Sequence, residues 1–214
     1  MIVLRVKIRT IIFVTAFVLL ILLFFRIPKT ATEHGKASRL YTVESIDTMK
    51  YSRDVSREKL NDPSFDTVID QQVFNIAKTG ATHVAIGTPY DSEFIAILNR
   101  WVQAARRNKL NVWFRGNFSG WEGWFGYSKI DRKMHKFQTK AFIETNADLF
   151  ADGDIFTACP ECENGGPGDP RHIGNILDHR KFLIEEYIVT KDAFKKINKK
   201  VASNYSSMNA DVAR

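Results

Sequence analysis

From residue 43 onward, short apolar segments alternate with longer amphipathic ones. The short segments carry consecutive apolar residues, which is typical of strands buried on both faces; they are VESIDTMKYS, THVAIGTPY, NVWFRGN, DIFTAC and KVASNY. The longer segments repeat their apolar residues at helical spacing; they are DTVIDQQVFNIAKTG, DSEFIAILNRWVQAARRNKL, RKMHKFQTKAFIETN and ILDHRKFLIEEYIVTKDAFKKIN. This pattern predicts five strands separated by four helices.

Strands that alternate with helices predict an α/β fold with a parallel sheet covered by helices. Two architectures have this order of elements, the doubly wound open sheet and the eight-stranded (β/α)8 barrel. Five strands form an open sheet on their own, whereas they cannot close a barrel alone. The first predicted strand is not followed by a G-x-G-x-x-G turn, so dinucleotide binding has no support.

The amino-terminal 42 residues predict a membrane anchor. Residues 1–9 are basic, and residues 10–27 are apolar over about the length that spans a bilayer. The positive charge before the apolar segment places residues 1–9 in the cytoplasm as a tail, and the polar residues 28–42 form a linker to an extracytoplasmic domain at 43–214. No convincing small-residue cleavage site follows the apolar segment, which favours a retained, single-pass signal-anchor. If the segment is cleaved instead, the domain is secreted.

The formal net charge of +7 comes from the same amino-terminal region. Seven of the 31 Lys and Arg residues precede Leu40, against one acidic residue, so 23 acidic residues balance 24 basic ones in the rest of the chain. A near-neutral domain lacks the basic surface that binding to phosphate backbones requires. We therefore expect no nucleic-acid partner.

Polar and aromatic residues gather after the carboxyl ends of the predicted strands, the edge that carries the active site in both architectures. The third such loop, RGNFSGWEGWFGYSK, intersperses aromatic rings with glycines. Sugars present apolar C–H faces that stack on rings and hydroxyls that need polar partners. The candidate substrate-binding residues are Lys50, Arg53, Tyr90, Arg115, Asn117, Trp121, Trp124, Tyr127 and Asn204. Alternatively, the rings of this loop pack beneath it as a small core.

The stretch FTACPECENGGPGDP carries two cysteines and two glutamates on the fourth predicted strand and just after it. A redox C-x-x-C needs a helix that begins at its first cysteine, and the glycines and proline after Cys162 are incompatible with one. A zinc site needs a second pair of ligands, and the histidines have no recognisable spacing, so we expect no metal or other cofactor. A structural disulfide between Cys159 and Cys162 is open to a protein outside the cell. The favoured interpretation is a strand that delivers a catalytic carboxylate, with Glu161 pointing into the site.

Three segments carry a family resemblance: KYSRD at residues 50–54, WFRGNFSGWEGWFGY at 113–127 and ACPECENGG at 158–166. In this order they resemble the amino-terminal half of a (β/α)8 glycoside hydrolase, in the clan of retaining enzymes related to the family 5 cellulases. The resemblance implies an incomplete (β/α)8 barrel of about four to five βα units. It also implies that Glu161 is the general acid/base, with Glu163 as the second candidate. Pro160 stands where the clan has an asparagine.

In that clan the nucleophile comes from the seventh strand, so the sequence predicts a truncated chain that is inactive alone. Glu122 and Asp54 are the other carboxylates expected at the rim. We expect a glycoside hydrolase-like protein that acts on O-glycosidic bonds of a poly- or oligosaccharide. Two alternatives remain open, a noncatalytic membrane-anchored carbohydrate-binding module and a C-x-x-C thiol or metal protein.

Overall fold

The computed structural model describes residues 41–164, 166 and 175–204. Within these ranges the strands are β1 (Ser45–Asp47), β2 (His83–Ile86), β3 (Asn111–Phe114), β4 (Ile155–Thr157) and β5 (Ala202–Asn204). The α-helices in the same ranges are α1 (Met49–Ser52), α2 (Phe65–Lys78), α3 (Ile95–Arg107), α4 (Ser119–Glu122), α5 (Arg132–Thr145) and α6 (Ile176–Lys196). Short 3₁₀ turns lie at Ser92–Phe94, Trp124–Gly126 and Ala147–Leu149.

The expected membrane anchor at residues 10–27 lies outside the described residues, as do the basic tail and the linker up to residue 40. Among the helices that the structure describes, none has both the length and the apolar character needed to cross a bilayer.

The four helices expected from the apolar spacing are confirmed as α2, α3, α5 and α6. In α3, Ile97, Leu98 and Trp101 are buried along one face, and the last turn carries two arginines, which interact favourably with the helix dipole. Helix α5 begins after Asp131, whose side chain accepts a hydrogen bond from the backbone N–H of Met134 and caps the first turn.

The first strand is shorter than the sequence predicts. It ends at Asp47, and Met49–Ser52 form one helical turn instead of continuing the strand. The Thr48 hydroxyl donates to the carbonyl oxygen of Ala85 at 2.8 Å, and the Asp47 carboxylate accepts from the N–H of Met49 at 2.6 Å. The Asp47 bond is local, whereas the Thr48 bond reaches the neighbouring strand β2, and both favour a turn at this point. Lys50 therefore lies within a helical turn and Arg53 directly follows it, rather than both following the end of a strand.

The five strands form one parallel sheet in the order β1-β2-β3-β4-β5, which is their order along the chain. The predicted parallel α/β fold is thus confirmed. Neighbouring strands are in register, since Ala85 lies opposite Asp47 on one side and Trp113 on the other. Because all the strands run the same way, their carboxyl ends meet along one edge.

The two faces of the sheet differ in their surroundings. Val84, Val112 and Phe156 face the main apolar core, which the helices complete. The opposite face is partly open, because Asp47 is exposed and Trp113 is only half-buried. The described core therefore lies on one side of the sheet.

A buried ion pair ties helix α3 to the start of β4. Asp154 is fully buried, and its carboxylate accepts from Arg106 at 2.8 Å and 2.5 Å. The same two oxygens accept from the backbone N–H groups of Val112 and Ala151, so the charge is fully hydrogen-bonded. The hydrogen bonds of Asp154 therefore hold β3 and β4 in place beneath the loops that follow these strands.

Candidate active site

Arg115 follows β3 directly and connects neighbouring strand ends. Its backbone N–H donates to Ile86 and so extends the pairing of β3 with β2. Its guanidinium lies 2.5 Å from a carboxylate oxygen of Asp47 and 3.9 Å from one of Glu161. The structure thereby brings together the last residue of β1 with residues that follow β3 and β4, in keeping with a rim at the carboxyl ends of parallel strands.

Glu161 lies in a turn four residues beyond the end of β4. Its backbone has φ of +54°, the left-handed region that residues with a Cβ rarely adopt. One carboxylate oxygen accepts from the side-chain amide of Asn164 at 3.0 Å. About 27% of the side chain is exposed, so the carboxylate is held in place and still accessible.

Glu122, at the end of α4, is the rim carboxylate with a perturbed environment. Its pKa is raised from an ordinary 4.5 to about 7, chiefly because burial removes the carboxylate from water. The charge of Glu161 raises the pKa further, whereas Arg53, Lys129 and a hydrogen bond with Trp124 lower it. Burial at the rim therefore favours the protonated form of Glu122.

The two carboxylates thus differ in environment although they interact. Glu122 is half-buried and holds its proton to neutral pH, while Glu161 lies beside the guanidinium of Arg115. Pairs of carboxyl groups in different environments divide acid and base roles between them in some enzymes. From the sequence, Glu122 was expected among the rim carboxylates but not as the acid/base, and its only signal was its position in the aromatic loop.

Glu163 does not share the rim with Glu161. Only 1% of its surface is exposed, because the backbone turns between Glu161 and Asn164 and directs the intervening residues inward. Glu163, the second candidate for the general acid/base, is therefore buried and not on the accessible rim. Glu163 is one of the buried residues beneath the rim.

Three of the expected sugar-binding residues are buried, which corrects the expectation of direct contact. Trp121 and Asn117 are fully buried, and Tyr90 is 2% exposed. Trp121 stacks on Phe182, with ring centroids 5.2 Å apart, and its indole N–H donates to the carbonyl oxygen of Cys162 at 3.2 Å. For Trp121 the alternative of a small core beneath the loop is therefore the one observed.

The other expected contacts are at least partly accessible, although they do not form a single cluster. Lys50 is exposed, and the Arg53 guanidinium lies over the half-buried Trp124 ring, 4.8 Å from its centroid. The hydroxyl of Tyr127 donates to Glu93 at 2.7 Å, so this polar group already has a partner within the protein.

Asn204, at the end of β5, belongs to the open face of the sheet. Its side-chain oxygen accepts from the hydroxyl of Thr157, and that hydroxyl accepts from the indole N–H of Trp113 at 2.9 Å. Trp113, Thr157 and Asn204 therefore form a polar line across three strands. The sequence had indicated Asn204 but not Trp113, which it placed within a buried strand.

Cys159 and Cys162 form a disulfide, one of the outcomes that the sequence left open. Both cysteines are buried, at 2% and 1% exposed, whereas reactive cysteines lie in partly exposed positions. In the part of the chain that the structure describes, no group of three or more His, Cys, Asp or Glu side chains could hold a metal ion. The two cysteines here pack with Trp121, Phe182 and Leu183 in one buried apolar cluster, which forms a wall of the site.

A buried polar network supports that wall from below. His135 of α5 contacts the carboxylate of Glu186 of α6 through Nδ1, and its Nε2 lies 2.9 Å from the side-chain oxygen of Asn117. That oxygen also accepts from the N–H of Phe118, so Nε2 of His135 must carry the hydrogen. The Asn117 amide in turn donates to the sulfur of Cys159 at 3.6 Å. The network links two helices to the loops that carry Glu122 and Glu161.

A scan against protein-family models found no family that matches the chain, and no curated protein or solved structure matched it either.

Proposed function

We propose that this protein is a glycoside hydrolase-like enzyme in which Glu122 and Glu161 act as a carboxylate pair on O-glycosidic bonds of a poly- or oligosaccharide. The observation that carries the proposal is a rim on which the half-buried Glu122, with a pKa raised by burial to about 7, lies close enough to Glu161 to interact with its charge. A general acid works best when its pKa lies near the operating pH. Hydrolysis of a glycosidic bond requires two carboxyl groups in different protonation states.

In this proposal Glu122 protonates the glycosidic oxygen of the leaving group. Glu161 is the partner carboxylate, which either activates water or attacks the sugar carbon. The resemblance to retaining glycosidases implied the acid role for Glu161, and the raised pKa of Glu122 favours exchanging the two roles. Arg115, 3.9 Å from Glu161, orients that carboxylate.

The sheet supports an incomplete (β/α)8 barrel as the framework. A doubly wound sheet reverses its strand order at one point and is covered by helices on both faces. Here the strand order follows the chain, and one face is partly open. A closed barrel needs eight strands, so further strands would pair with the outer edges of β1 and β5.

We also propose that residues 10–27 anchor the domain to a membrane, with the domain on the extracytoplasmic side. The Cys159–Cys162 disulfide supports this location, because disulfides persist in oxidising compartments. Deletion of residues 1–27 should abolish carbonate-resistant membrane association. Recovery of a soluble form that begins near Ala31 would instead show a cleaved signal.

The catalytic proposal is tested with Glu122→Gln and Glu161→Gln, each assayed on substrates with poor and good leaving groups. Glu122→Gln should lower turnover by about 10²–10⁴-fold on unactivated oligosaccharides and far less on nitrophenyl glycosides, which leave without a proton. Glu161→Gln should lower turnover on both. The matched control is Glu44→Gln, since Glu44 precedes β1 at the opposite end of the sheet.

Equal losses on both substrates for Glu122→Gln would contradict its role as the acid. If the wild-type protein releases no sugar from any substrate tested, the enzymatic proposal fails.

A noncatalytic carbohydrate-binding role is the second candidate. It is favoured by the half-buried ring of Trp124 on the rim and by Trp113 on the open face of the sheet, because both rings retain accessible surface. Glycan-array binding without sugar release, lost in Trp124→Ala and retained in Glu122→Gln, would favour this role over hydrolysis.

A further inference from the structure

The Cys159–Cys162 disulfide closes a loop that contains Glu161. Only Pro160 and Glu161 lie between the two cysteines, and Glu161 is the residue with φ of +54°. Residues held in sparsely populated backbone regions persist only where the surrounding structure imposes them, and they cluster at functional sites. A short covalent ring around Glu161 is such a constraint.

Both ends of this loop are anchored in the protein interior. The sulfur of Cys159 accepts from the side-chain amide of Asn117 at 3.6 Å, and the carbonyl oxygen of Cys162 accepts from the indole of Trp121 at 3.2 Å. The two cysteines pack with Trp121 and Phe182 in one apolar cluster. Between these buried ends, the Glu161 side chain reaches the rim and lies 3.9 Å from Arg115.

We propose that the disulfide is the positioning element of Glu161, and that reduction by a dithiol releases the loop and switches the site off. This inference rests on the proposed function for its effect on turnover, whereas the movement of Glu161 is independent of it. In the reduced loop, rotation about the backbone of Glu161 to negative φ carries its carboxylate away from Arg115.

Because both sulfurs are buried, a dithiol reaches them only when their apolar cluster opens locally, and the redox step is then an ordinary thiol–disulfide exchange. A thiolate of the dithiol attacks one sulfur, the Cys159–Cys162 bond breaks, and a mixed disulfide forms. The second thiol of the reagent then displaces the remaining protein sulfur. The protein gains two electrons and two protons, and the reagent leaves as its own disulfide.

The test uses the full chain with Cys159→Ala plus Cys162→Ala, since alanine keeps this buried cluster apolar. The first measurement is the pKa of Glu122, which is determined by carboxyl ¹³C NMR across pH 4–9. The groups that act on Glu122 are Arg53, Lys129, Trp124 and Glu161, and only Glu161 raises its pKa by charge. If the loop releases Glu161, the pKa of Glu122 falls from about 7.

Glu161→Gln is the matched control, because it removes the same charge without touching the cysteines. We expect the pKa of Glu122 in the double alanine variant to fall to the value found in this control. A folded double variant in which the pKa of Glu122 stays at its wild-type value would overturn the proposal. A merely structural disulfide would lower the unfolding midpoint without moving this pKa.

Turnover on unactivated oligosaccharides is the second measurement. Misplacement of a catalytic group by about 1 Å costs about 10²-fold, so kcat should fall by that order in the double variant with little change in KM. If the wild-type protein has no activity, the proposed function fails, and the NMR titration still decides whether the disulfide positions Glu161.

Wild-type protein treated with dithiothreitol gives an independent comparison if the double variant does not fold. Circular dichroism verifies the fold, and alkylation of the freed thiols verifies reduction. Reduced, folded protein should show the lowered pKa of Glu122, and reoxidation should restore it. An unchanged pKa in reduced, folded protein would equally overturn the proposal.

Discussion

Glu122→Gln should make the protein more stable at alkaline pH while it removes the proposed acid. The fold raises the pKa of Glu122 from 4.5 to about 7, so the folded state favours the protonated form. Ionisation of Glu122 therefore costs folding free energy. That cost is absent below pH 4.5, grows between pH 4.5 and 7, and is complete above about pH 7. Glutamine is neutral at every pH and does not incur it.

The magnitude follows from the pKa difference. Each pKa unit corresponds to 1.36 kcal/mol, so the full difference would amount to about 3 kcal/mol. Glu122 is only half-buried, and solvent screening reduces the figure to about 1–2 kcal/mol. The variant should therefore exceed the wild type by that amount at pH 8.5 and match it at pH 4.

The assay is urea denaturation of the wild type, Glu122→Gln and the control Glu44→Gln at pH 4, 5.5, 7 and 8.5. The free energy of unfolding of the wild type should fall relative to Glu122→Gln between pH 4 and 8.5. A difference that stays constant across this range would refute the reasoning, because it would show that ionisation of Glu122 carries no folding cost.

Two further predictions concern the framework of the site. Asp154→Ala should lower the free energy of unfolding by about 3–5 kcal/mol, because it leaves the Arg106 guanidinium without its buried carboxylate; a loss below about 1 kcal/mol in urea denaturation would contradict this. Trp121→Ala should cost about 3–5 kcal/mol, whereas Trp124→Ala should cost less than about 1 kcal/mol, since only Trp121 is fully buried. Equal losses of unfolding free energy for the two tryptophan variants would contradict this, because they would show that burial of the two rings contributes equally to stability.

The assignment of catalytic roles illustrates what a sequence leaves open. Glu161 was recognisable because it follows a predicted strand within a crowded polar stretch. The raised pKa of Glu122 was not, because it depends on burial and on the charges of Arg53 and Glu161, which are distant in sequence. Desolvation is a property of the folded surroundings, and no spacing of residues within one loop encodes it.

The order and type of the main elements could be predicted from local patterns in the sequence. Helix α3 was predictable because its apolar residues recur at helical spacing, and the strands were predictable from short apolar segments between turn residues. Their alternation was enough to predict a parallel sheet, because parallel neighbours need a helical crossover. These are local patterns, which each segment carries within itself.

Only the tertiary structure decided which side chains of the aromatic loop reach the rim. Trp121 and Trp124 stand in similar local surroundings between glycines, yet Trp121 packs on Phe182 of the distant helix α6 and Trp124 lies under Arg53. The same holds for the end of β1, which is set by a hydrogen bond from Thr48 to Ala85 of the neighbouring strand. In each case the deciding partner is far away in sequence, so the choice is made only when the chain has folded.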